Sequence, residues 1–229
     1  MTVLKAIGPP GSLRFFLLAV AVGLVLGYLW PRRRRLGLAW LIAVVGGYAL
    51  LGWPPVAQTI LDGLPASVPP VVEHIEALDV LDVLVVFDGD NRRGRARAVE
   101  QIAAATSPRG IHVVGSRLIL REMPGVLRER VAHHHAATTR DQIAWVHDLV
   151  GRSPTTRIGI VVSRIQAPRT SALSARAVPG VPLIASPLDT ELPTTGLRRF
   201  LPSYAALCVS RDALYEHAAL SYYRWRGWI

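Results

Sequence analysis

A chain of 229 residues, 51% of them apolar, has room for one α/β domain plus accessory elements, and its single cysteine, Cys208, excludes an intrachain disulfide. The formal charge of +10 is unevenly spread: residues 1–53 hold Lys5, Arg14, Arg32, Arg33, Arg34 and Arg35 and no acid. Taking those six from the 26 basic residues leaves 20 against 16 acids, a mildly basic surface that argues against a nucleic-acid partner.

Residues 1–12 form a short N-terminal tail. Phe15 to Trp30 is then uninterrupted apolar sequence, preceded by Leu13 and Arg14, and Leu36 to Trp53 is a second run without a charge. Each approaches the ~20 residues needed to cross a bilayer core, which predicts a transmembrane hairpin over 13–53, with spans 13–30 and 36–53. Tyr28, Trp30 and Trp53 lie near the ends, where amphipathic rings favour the interface. The loop Pro31-Arg32-Arg33-Arg34-Arg35 resists translocation and is expected to stay cytoplasmic, which puts everything after Trp53 on the other side. A cleaved signal peptide would need a small-residue cleavage site where these arginines stand. A pair of buried core helices is the plainer alternative.

Pro54, Pro55, Pro65, Pro69 and Pro70 suggest an irregular stem, drawn as a linker over 54–78 before a domain spanning 79–229. Beyond it strand-like and helix-like patterns alternate. Strands are expected at Val80–Phe87, Ile111–Val114, Ile158–Val162 and Val181–Ser186, and helices at Arg92–Thr106, Thr139–Val150, Ala167–Ala177 and Ser203–Trp225. Strands that are apolar on both faces and alternate with helices predict an α/β fold, a Rossmann-like parallel sheet with helices on both faces. In such folds ligands bind beyond the carboxyl ends of the strands.

At those strand ends stand Asp88-Gly89-Asp90 with Arg95 on the next helix, Gly115-Ser116, and Gly125-Val126 through Arg130-Val131. After them come Thr138-Thr139-Arg140-Asp141-Gln142, then Ser163 with Gln166 and Arg169, and Glu216 ahead of Tyr222-Tyr223 and Gly227. In order and spacing these resemble the domain-of-unknown-function family that includes YdcF, SanA and ElyC, over about residues 80–229, and the two-pass anchor is similar to the ElyC arrangement. The resemblance implies a bacterial inner-membrane protein with a periplasmic domain, a place in cell-envelope maintenance, and a ligand pocket at these residues.

The departures from the family pattern matter as much. A Gly-Gly-Gly turn is replaced by Asp88-Gly89-Asp90, which sets carboxylates where bare N–H groups would cradle an anion. Gln166 stands in the position of a histidine, as does Tyr215, so the groups that could exchange a proton near neutral pH are gone. The segment Arg117–Pro124 is shorter than its family counterpart, so a pocket wall is expected to be missing.

Other constellations carry less. His133-His134-His135 could offer His133 and His135 to a metal with Asp88 or Asp90, but no partner at ligand spacing accompanies them, and no metal or cofactor is expected. Asp88-Gly-Asp-Asn91 lacks the downstream glutamate of a calcium loop, and Asp90 or Asn91 is expected to cap the helix at Arg92. Arg92, Arg93, Arg95 and Arg97 suit a solvated helix face better than a phosphate clamp, and no G-x-G-x-x-G is present. Ser163 lacks a nucleophile elbow and a base. Tyr222, Tyr223, Trp225 and Trp228 with Arg224 and Arg226 suit core packing or an amphipathic surface patch equally.

Two functions follow. The first is a membrane-anchored, largely non-catalytic scaffold or accessory subunit of an integral-membrane complex. The second is a pocket that still binds or processes an anionic, nucleotide-like or lipid-linked ligand, with Arg95 and Arg169 as donors.

Overall fold

The computed structural model describes residues 13–29, 34–65, 81–89, 91–189, 191–193 and 195–229. The N-terminal tail, Trp30, Arg32 and Arg33 of the loop, linker residues 66–78 and Asp90 lie outside the described residues. Contacts divide the chain into two compact units, Met1–Gly63 with Glu191–Tyr215, and Leu64–Thr190 with Glu216–Ile229. The span drawn as one domain, 79–229, thus shares residues with both.

In the first unit, helices α1 (Leu13–Leu29) and α2 (Arg34–Leu51) form an antiparallel pair. Small residues set their close approach. A Cβ on Gly37 would lie 2.7 Å from the backbone nitrogen of Gly27, and one on Gly23 would lie 2.7 Å from the Trp40 ring. The Trp40 indole donates to the Ala19 carbonyl at 2.8 Å, and Phe16 and Tyr48 stack with centroids 4.6 Å apart. Outward, Leu17, Leu24, Leu38, Ile42, Val45 and Leu50 are exposed. A helix pair packed through glycines with apolar side chains on its outside lacks the polar face of a water-soluble hairpin. Of the two, α2 is long and apolar enough to cross a membrane, and α1 is a shorter apolar helix.

The stem begins differently from expectation. Residues Pro54–Asp62 form a helix, α3, rather than an irregular segment. Pro54 and Pro55 occupy its first turn, where the missing N–H groups have no acceptor to lose and the fixed φ already suits a helix.

The second unit is built on five parallel strands, β1 (Val83–Phe87), β2 (Gly110–Val114), β3 (Val131–His134), β4 (Ile158–Ser163) and β5 (Leu183–Ser186), in the order β3-β2-β1-β4-β5. Helices α4 (Arg92–Thr106), α5 (Gly125–Arg128), α6 (Thr139–Arg152) and α7 (Ala167–Ala177) connect them. The long C-terminal helix α8 spans Tyr204–Trp225, with the Ser203 hydroxyl accepting from the amide of Ala206.

Alternation along β1 divides the core. Leu84 and Val86 face a cluster with Val99, Ile102, Ile111, Ile119 and Met123; Val85 and Phe87 face one with Ile143, Val146, Ile160, Leu173 and Tyr223. Both faces of the sheet are therefore covered, as a parallel sheet requires. The α/β expectation holds. Strand β3 was not foreseen, because at this sheet edge three of its four residues are half-buried, Ala132 is exposed, and two are histidines.

Candidate functional site

The carboxyl ends of β1, β2, β4 and β5 bring several of the expected residues together, but bind them to one another. Arg95 enters from the first turn of α4 and is fully buried, at 0% exposure. Its Nη1 donates to the Phe87 carbonyl at 2.7 Å and to Gln166 Oε1 at 3.2 Å. The expected solvated arginine face thus holds for the exposed Arg93 and Arg97 and fails for Arg95. Gln166 turns its amide onto the turn after β1: a Cβ on Gly89, whose φ is +155°, would collide with Gln166 Nε2. Its backbone nitrogen in turn donates to Ser163 Oγ at 3.3 Å, so the buried serine serves the first turn of α7.

The N-terminus of α4 is the natural place for an anion in this architecture, since its free N–H groups carry the positive end of the helix dipole. That place is taken from within. The amide of Gly94 donates to Asp189 Oδ1, a carboxylate delivered by the loop after β5. Beside it, Asn91 Nδ2 donates to the Pro187 carbonyl at 2.6 Å and to Ser186 Oγ at 3.3 Å. Asn91 adopts a left-handed conformation, φ 63° and ψ 46°, and its side chain makes no cap. Of the two residues expected to cap this helix, Asp90 lies outside the described residues and Asn91 makes no cap, its amide group being drawn across to the β5 loop, while Asp189 accepts from the Gly94 amide.

The next strand end is similarly closed. Asp88 Oδ2 accepts from the Ser116 amide at 3.0 Å. A Cβ on Gly115, at φ +134°, would lie 2.6 Å from Asp88 Cβ, so only glycine allows the two turns to meet this closely. Gln142, buried, donates from Nε2 to the Val114 carbonyl at 2.9 Å and ties α6 to the end of β2.

Thr138 and Asp141 form a reciprocal capping box: Thr138 Oγ1 accepts from the Asp141 amide at 3.2 Å, and Asp141 Oδ2 accepts from the Thr138 amide at 3.0 Å. These residues start a helix. Thr139 is its first residue. Arg169 and Glu216 form a buried ion pair, Nη2 to Oε1 at 2.7 Å, with the guanidinium 5.5 Å from the Tyr223 ring centre. That pair fastens the C-terminal half of α8 to α7.

The histidine run behaves as two separate contacts. His133 Nε2 meets the Gly115 carbonyl at 2.9 Å, and Arg117 Nε donates to His133 Nδ1 at 3.4 Å. His134 Nε2 lies 2.9 Å from His112 Nδ1, and both rings pack on Trp145. Burial, then the neighbouring histidine, holds each imidazole of this pair below its ordinary pKa. Among the described residues no three His, Cys, Asp or Glu side chains gather as a metal site. In the tail, Tyr223 is buried and packs edge-on against Trp228 at 5.0 Å, and Arg140 lies over Trp228 at 4.9 Å, whereas Trp225 is exposed. The tail is core at Tyr223 and surface at Trp225.

One residue of this rim, Asp189, and one contact nearer the middle of β2, His112, escaped the sequence. Asp189 had a signal, since a polar residue just beyond an apolar strand lies at the ligand-binding end of a parallel sheet. His112 sits within an apolar strand pattern that gives no hint of its partner.

Comparison of the chain with family models, curated proteins and solved structures finds no match.

Proposed function

We propose that the protein is a two-pass membrane-anchored, non-catalytic scaffold or accessory subunit of an integral-membrane complex, carrying a YdcF-like α/β domain outside the cytoplasm. The observation that carries this reading is Asp189: the protein's own carboxylate occupies the N-terminus of α4, the position an anionic substrate would need. Arg95 is committed to the Phe87 carbonyl and Gln166, and Arg169 to Glu216, so the two cations expected to hold a phosphate are engaged within the fold. The Ser163 hydroxyl accepts from the Gln166 backbone amide at 3.3 Å, a structural contact at the start of α7. The anchor is supported by the glycine-packed α1–α2 pair, its exposed apolar exterior, and the basic loop between the helices.

Purification of the full chain in mild detergent tests the proposal. A stoichiometric membrane partner is expected, retained by Ser163→Ala and Gln166→Leu and lost when residues 13–51 are exchanged for an unrelated hairpin. A solitary monomer whose biological function disappears with Gln166→Leu, while the fold persists, would favour the ligand-binding alternative.

A further inference from the structure

The first unit contains a basic, apolar turn tied to the end of α2. Every residue from Thr195 to Pro202 is exposed. Leu197 is 84% exposed, Phe200 60%, Leu201 61% and, at the start of α8, Tyr204 69%. Arg198 and Arg199 interrupt these side chains, and the Arg199 guanidinium lies 5.9 Å from the Phe200 ring centre.

Two hydrogen bonds tie the start of α8, which follows this turn, to the end of α2. The Ser203 amide donates to the Gly52 carbonyl at 2.7 Å, and the Ser210 hydroxyl donates to the Leu51 carbonyl at 2.7 Å. Leu51 is the last residue of α2, so the start of α8 is held level with that helix end. Next to it is a groove of about 370 Å³, lined by Pro54, Pro55, Gln58 and Thr59 of α3 and by Leu192, Pro193 and Arg199.

If α2 spans a bilayer, its end marks the headgroup layer, and the turn presents to that layer what an interfacial site needs. Apolar and aromatic side chains can enter the acyl boundary, while guanidinium groups meet phosphate. We infer that the groove beside Arg199, with the Leu197–Tyr204 turn, binds the headgroup of an anionic phospholipid. This rests on the anchor reading, and specifically on α2 spanning the membrane. The occupant is a lipid of the same bilayer rather than a soluble anion, because the arginines are flanked by large exposed apolar side chains that a free phosphate would leave in water.

The test uses the full chain reconstituted in phosphatidylcholine vesicles with and without a minor fraction of phosphatidylglycerol. Carbonate extraction reports the anchor, and native mass spectrometry of the released protein reports which lipids it retains. Wild type is expected to resist extraction and to retain phosphatidylglycerol above its bulk share. Arg198→Gln and Arg199→Gln should each lower that enrichment by roughly five-fold, with extraction unchanged, while Arg93→Gln in the α/β unit should change neither. Resistance to extraction with no phosphatidylglycerol enrichment, or with enrichment indifferent to both arginines, overturns the lipid site and leaves the anchor standing. Release by carbonate overturns both. Inorganic phosphate competing the lipid away would also contradict the site, since it would mark a soluble anion as the ligand.

Discussion

The two units dispose of their polar and apolar groups in opposite ways. In the α/β unit much of the rim is paired internally: carboxylate on amide, guanidinium on carbonyl, glutamine on arginine, although Asp88 Oδ1 and Asn91 Oδ1 are buried without a hydrogen-bond partner among the described residues. In the unit containing α1 and α2, large apolar side chains stand outward and arginines protrude among them. A parallel sheet normally keeps spare donors at its carboxyl edge for a ligand. On the scaffold reading proposed above, recognition falls to the other unit.

The largest expected effect breaks the closed side of this contrast. Arg169→Met removes the guanidinium paired with the buried Glu216 carboxylate and should cost about 3–5 kcal/mol in chemical denaturation. The double variant Arg169→Met with Glu216→Leu should recover most of that loss, since an apolar pair replaces an ion pair of similar bulk. If the single variant costs nothing, the pair does not hold the C-terminal half of α8.

Next in size is the packing of the other unit. Gly37→Ile would drive a side chain into the backbone of Gly27 and should destabilise the helix pair by about 1–3 kcal/mol. Gly46→Ala, where a Cβ has open space, should change little. Resistance of the hairpin to denaturing detergent separates the two variants. Equal behaviour would mean that the glycines do not set the contact.

A smaller effect is expected at the capping box. Thr138→Ala removes the acceptor for the Asp141 amide and should cost about 1 kcal/mol, read from the shift in denaturation midpoint. It should leave partner association intact, because the contact it removes is the start of a helix.

The subtlest test is pH. His112 and His134 have folded pKa values below the ordinary imidazole value of about 6.5, so the unfolded chain takes up protons first as acid is added. The stability they contribute is full above that value and declines as pH falls through it toward the folded values. His112→Phe should flatten this slope; an unchanged slope would exclude the pair as its source.

Much of the α/β unit was legible in the sequence because its signals are local. The helices Arg92–Thr106 and Ala167–Ala177 follow from apolar spacing, and β1, β2, β4 and β5 from continuous apolar runs. Two elements were hidden by residue type. Edge strand β3 carries histidines where a buried strand would carry valines, and α3 begins with two prolines that signal a break in most contexts. The packing of α1 had a signal that composition alone passes over: Gly23 and Gly27 are spaced four apart within an apolar helix. At the rim, the sequence placed Gln166 beyond the end of β4. The contact of Asp189 with Gly94 was not legible, because it spans 95 residues and no local pattern encodes that meeting.

Calorimetric titration of the reconstituted full chain with inorganic phosphate and with nucleoside mono- and triphosphates tests the closed rim most directly. No saturable heat is predicted, since Asp189 already fills the helix N-terminus and Arg95 is committed to Phe87 and Gln166. Saturable one-to-one binding of any of these anions, abolished by Gln166→Leu in a folded sample, would contradict it.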